Sequence, residues 1–342
     1  VTHDRPEKLA RVRDLLDERG HSELVLTCAE NLAWLFDGAR VTVPYGGAPV
    51  LQAVVTRDGE VRVDALVNEA DRLRDEELPG VEITAVPWHD AFTVPTGALL
   101  DTDVVRELRA ARAVLLPAER DRYRALGRDA AVAVGAVLRE VHRGSREHDV
   151  AADLVRAVVG IGAEPVVALV GGESRRAVRH PLPTDAPLGR RAMVAVGAKR
   201  HGLVVSLSRW VRFEETPDDS LDARLLEVEA DAFAATAPAR RLADVLADIA
   251  AAYPRHGFAA GAWQGHHQGG PTGYLGRDPK VTPASEDLVR AGQAYAWNPS
   301  VPGGKVEDTV VIDDDGVEVL TVDPDWPTVL VRGVPRPLPF DR

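Results

Sequence analysis

MVAVGAKRHGLVVSLSR, residues 193–209, is the stretch on which the reading of the fold turns. Val194, Val196 and Ala198 alternate with smaller or polar neighbours, and Leu203–Leu207 repeats the apolar run. Lys-Arg-His-Gly stands between them as a turn, so the spacing predicts two strands that pair in the middle of a sheet. Ala195 and Ser206 stand eleven positions apart. Both are small, at places where a larger side chain would fit.

The 342 residues suffice for two domains and a sizeable core. Hydrophobic residues at 45% and charged residues at 27% are the proportions of an ordinary soluble globular protein. A formal charge of −12 argues against a surface for nucleic acid, whose phosphates demand the opposite sign. Runs such as DRLRDEEL (71–78) read as solvated helix faces. Cys28 is the single cysteine, which excludes an intrachain disulfide and fits a cytoplasmic protein. It is expected to be a buried structural residue. The first twenty residues are charged and carry no signal core, and no apolar run approaches the ~20 residues of a membrane helix.

Around the hairpin, residues 6–19 predict an amphipathic helix, 22–28 a buried strand, and 48–67 a β-hairpin turning at Asp58-Gly59. A helix over 68–78 and a strand over 81–86 complete an α/β domain, 1–117. The boundary is placed at Pro117. Residues 118–342 form the second domain: two long helices to 162, strands over 165–213, helices over 220–252, then Gly-rich loops and strands.

Three stretches besides the hairpin carry candidate chemistry. GGESRRAVRHPLP (171–183) places His180 before a Pro-rich loop. GHHQGGPTGYLGRDP (265–279) puts His266 and His267 beside glycines that let a backbone approach a ligand closely. YAWNPSVPGGKVEDTVVI (295–312) sets Lys305 and Glu307 two apart, on one side of a strand. That strand reads either as an exposed edge or as the carrier of a buried pair, whose charges must be matched. No H-E-x-x-H, P-loop or dinucleotide fingerprint is present.

In this order the segments resemble the creatinase, prolidase and aminopeptidase P family, with its pita-bread fold. ENLAWLFDGAR (30–40) is similar to the N-terminal creatinase-type domain. The paired helices, His180, the hairpin, the His-Gly loop, N-P and K-V-E-D are similar to the catalytic domain. The resemblance implies an N-terminal creatinase-type α/β domain and a C-terminal pita-bread α+β domain. It also implies a homodimer, with Trp34 and Tyr45 in loops that reach the partner. In metal-dependent members the hairpin carries two aspartates, and a histidine and two glutamates follow. The matching positions are Ala195, Ser206, Gly270, Asn298 and Glu307, which leaves one ligand of five. A two-metal peptidase is therefore not expected, nor is any cofactor.

Metal-free relatives such as creatinase cleave C–N bonds with a histidine matching His180. The expected catalytic residues are His180, Glu307 and His266. His267, Asn298, Lys305, Tyr274 and Arg209 are expected to bind substrate, and Arg209 also to pair with an internal acid. Three functions follow from the resemblance. One is a metal-independent enzyme acting on a C–N bond of a small molecule or short peptide. Another is a non-catalytic pseudo-peptidase binding a small ligand or partner. The third is an aminopeptidase or prolidase with a metal relocated to His180, His266, His267 and Glu307.

Overall fold

The computed structural model describes residues 4–214 and 220–342. The chain divides into two compact units, one running to Arg122 and including His201–Leu203, the other made of the remainder.

In the first unit, helix α1 (Arg5–Arg19) buries Val12, Leu15 and Leu16 on one face, and Gly20 ends it in a left-handed cap. Strands β1 (Glu23–Leu26), β2 (Leu51–Thr56), β3 (Val61–Leu66), β4 (Ile83–Val86) and β5 (Leu99–Leu100) form one sheet in the order β4-β3-β2-β1-β5. The Asp58-Gly59 turn joins β2 to β3, with Gly59 at φ 88°. Helix α2 (Ala29–Leu35) follows β1. Asp101 anchors its start by accepting the N–H groups of Thr27 and Cys28, each at 2.8 Å.

Three expectations change here. Trp34 lies in α2 rather than in a loop, and is fully buried. Cys28 is half-buried, and burial together with Asp101 pushes its thiol up to about 11, which leaves it a poor nucleophile. The segment 68–78 is not one regular helix. A short turn α3 (Ala70–Arg72) runs into a π-helical turn at Leu73–Glu77. Helix α4 (Val105–Ala113) completes the unit's elements before the long helix.

Helix α5 (Pro117–Glu140) begins with proline in its first turn, where no donor is lost. Tyr123, Leu126, Ala130, Val134 and Leu138 form its buried stripe. Helix α6 (Glu147–Gly160) leads into β6 (Glu164–Gly171), and β7 (Arg191–Arg200) and β8 (Leu203–Arg212) are the hairpin read from the sequence. Both strands occupy inner positions of a sheet ordered β17-β8-β7-β6, in which β17 (Phe340–Asp341) comes from the end of the chain. Near-continuous burial along β7 and β8 accounts for their apolar runs.

Helices α7 (Ser220–Ala235) and α8 (Leu242–Arg255) share a core with strands β10 (Gln293–Trp297) and β13 (Val310–Asp313). Those strands belong to a second sheet, β14-β13-β10-β9, with β9 at Gly269–Thr272 and β14 at Gly316–Val319. Two hairpins complete the unit, β11 (Ser300–Val301) with β12 (Gly304–Lys305) and β15 (Thr328–Val331) with β16 (Val334–Pro337). The strands after 322 carry no clear pattern in the sequence, because prolines interrupt them and their faces are only partly buried.

Candidate active site

A cavity of about 480 Å³ lies within the second unit. Its apolar wall comes from Val166, Val167 and Leu169 on β6, from Ala195 and Val196 on β7, and from Val204 on β8. Ser206, His180, His267, Arg277, Asn298, Lys305 and Glu307 supply its polar end. The small hairpin residues thus leave space, as their size implied.

Three imidazoles meet at that end, and their donor atoms lie within 4.8 Å of one another. His180 and His266 share a hydrogen bond between their Nε2 atoms at 2.9 Å, and His266 stacks on His267 with centroids 4.3 Å apart. Partial burial and the Lys305 ammonium lower the largely exposed His180, and deeper burial with the same ammonium brings His266 down to about 3. Burial and Arg277 bring His267 down to about 4. All three are therefore neutral at pH 7, the form that accepts a proton or binds a metal.

Beside them, Glu307 is buried and its two oxygens are separately occupied. Oε1 accepts from Arg277, and Oε2 lies 3.1 Å from Lys305 Nζ. Burial alone would raise its pKa, but the two cations outweigh it and bring it down to about 2. Arg277 also reaches the Ser206 hydroxyl at 3.5 Å. Asn298 is 1% exposed, and its Oδ1 has no partner among the described residues.

Residues 121–314 match the sequence model of metallopeptidase family M24. The chain belongs to metallopeptidase family M24. Among solved structures, the prolidase from Pyrococcus horikoshii superposes with TM-score 0.75 at 17% identity, covering 92% of this chain and 98% of that one. The dipeptidase from Mycobacterium ulcerans gives 0.74 at 21%, covering 94% and 96%. The N-terminal domain of the FACT complex subunit SPT16 from chickpea gives 0.66 at 14%, covering 94% and 97%. At these identities the likeness is one of fold, and it is the mixed α/β pita-bread architecture expected. No curated protein sequence matches.

The family's paired-metal centre does not fit the residues present. Ala195 has no donor, Ser206 and Asn298 are neutral, and Glu307 has given both oxygens to fixed cations. A guanidinium and an ammonium balance that carboxylate instead. The three imidazoles are a separate donor set, and they are the residues here able to hold a single ion.

The structure also corrects three site assignments. Gly270 does not face the cavity. A Cβ built there would lie 2.6 Å from Val281 Cγ2 and 2.8 Å from the Pro279 carbonyl. Imidazoles reach the site from positions 266 and 267 instead. Arg209 is committed to the interior, 2.9 Å from Asp308 and bonded to the Thr321 carbonyl, so it pairs with an internal acid and does not line the cavity. Tyr274 is buried away from the lining. Lys305 and Glu307 are buried and not on an exposed edge, and only Lys305 lies in a strand, β12, which ends before Glu307. Sequence reasoning missed Arg277, which stands in the quoted Gly-rich stretch but meets its carboxylate thirty residues later.

Proposed function

We propose that this M24-fold protein is a metal-independent, creatinase-like enzyme acting on a C–N bond of a small molecule or short peptide. The observation that carries the reading is the pairing of Glu307 with Arg277 and Lys305, beside three neutral imidazoles. Neutral His180 takes a proton from the attacking water and returns it to the leaving nitrogen. His266, through the shared hydrogen bond, orients that ring. Arg277 and Lys305 stabilise negative charge that develops on a carbonyl oxygen. Asn298 Oδ1 accepts from a substrate N–H, and the β6–β8 wall takes an apolar group.

The test is turnover of a panel of dipeptides, N-acyl amino acids, ureido and guanidino compounds, with products identified by mass spectrometry. Turnover survives a strong chelator and falls by about 10²–10⁴-fold in His180→Ala. The folded state changes by about 1 kcal/mol or less, because the ring is exposed. Chelator-sensitive turnover would instead support the relocated-metal peptidase. Binding without turnover would support the pseudo-peptidase reading, which the loss of the family's carboxylates favours. A homodimer and a cytoplasmic location belong to the same proposal. Light scattering at micromolar concentration checks the dimer.

A further inference from the structure

A second, narrower cleft shares Lys305 with the cavity. Arg175, Arg176, Arg179, Ser300 and Lys305 line it, and no acidic side chain does. Its enclosed free space of about 20 Å³ takes one oxygen-sized group, and its mouth is open to solvent. Two of its cations are already matched, Arg175 by Glu147 and Lys305 by Glu307. The side chains of Arg176 and Arg179 make no hydrogen bond or ion pair among the described residues. Glu173, which feels the charge of Arg176, is bonded to Arg190. Arg179 Nη1 is buried without a partner, and so is Oγ of Ser300, a residue 3% exposed.

We propose that this cleft is an oxoanion subsite, in which Arg179, Arg176 and Ser300 bind a carboxylate or phosphate group of the ligand held in the adjoining cavity. A buried guanidinium nitrogen and a buried hydroxyl left unpaired each oppose folding, and both belong to residues that line this one cleft. Partial burial lowers the pKa of Arg179, in keeping with the buried position of its Nη1. The planar fork of arginine suits an oxoanion, and the serine hydroxyl adds a third donor. This chain carries a net charge of −12, so a cleft of unmatched positive charge runs against its average surface. The identity of the whole ligand rests on the function proposed above, but anion binding at the cleft does not.

Calorimetric titration at low ionic strength with inorganic phosphate, acetate and neutral acetamide tests it on the full chain. One or both anions bind, and acetamide does not. Arg179→Met loses at least about ten-fold in affinity, Ser300→Ala several-fold, and Arg179→Lys less than Arg179→Met. Arg156→Met, an exposed arginine paired with Asp153 on α6, leaves binding unchanged. Tighter phosphate binding identifies a phosphorylated ligand, and tighter acetate binding a carboxylic acid. His180→Ala leaves anion binding in place, so loss of turnover and loss of the subsite are separable. Absence of binding by both anions, or an equal loss in Arg156→Met, overturns the proposal. Thermal melts establish that each variant is folded.

Discussion

Glu307 is held between two cations in a setting from which water is nearly excluded. Its replacement by glutamine removes the acid that pairs with both Arg277 and Lys305. Breaking such a buried set costs about 3–5 kcal/mol, because the partners stay charged and buried. Chemical denaturation of Glu307→Gln measures it, and a loss below about 1 kcal/mol would show that the cations find other partners. The same group sets an acid limit. Its folded pKa is about 2, below the ordinary 4.5. Its stabilisation is therefore complete above pH 4.5 and is lost as the pH falls towards 2. The wild type accordingly loses stability across that window, and Glu307→Gln shows a flatter acid limb.

Strand β9 shows why a family ligand cannot simply be put back. Gly270 has φ 142° and packs against Val281 and the Pro279 carbonyl. Gly270→Ala therefore loses about 2 kcal/mol or more, through both backbone strain and the clash. Gly270→His creates no metal affinity, which equilibrium dialysis with zinc checks against the wild type. On the hairpin the situation differs. Ala195 and Ser206 line open space, so that the missing carboxylates there reflect residue choice and not crowding. The β7–β8 pair was legible from its alternation and turn. The convergence of His266 and His267 on His180 was not, since it depends on how a Gly-rich loop returns to the β6–β7 loop, 86 residues away in sequence.

Across the second unit, a buried charge network joins elements far apart in the chain. Arg336 on β16 bonds Glu229 of α7 at 2.6 Å through two nitrogens and lies 2.9 Å from Asp308. Asp308 in turn lies 2.9 Å from Arg209 on β8. Arg336→Met leaves Glu229 and part of Asp308 unmatched in the interior, and is expected to destabilise by about 3–5 kcal/mol. Its effect on turnover is small once the protein is folded, because none of these groups reaches the cavity. Comparing melting temperature with kcat separates the two.

Local periodicity and turn chemistry determined most of the architecture from the sequence alone. The amphipathic stripe of α5, the Asp58-Gly59 hairpin and the apolar β7–β8 pair each follow from interactions within a few residues. The absent donors at Ala195 and Asn298 were legible in the same way, because a side chain's chemistry does not depend on its fold. Tertiary structure alone decided which groups share one volume. It assigned Arg277 to Glu307, Arg209 to Asp308, and Arg179 and Ser300 to a cleft with no acid. Charges acquire their meaning from neighbours a few ångströms away, and in this chain those neighbours lie thirty to more than a hundred residues apart.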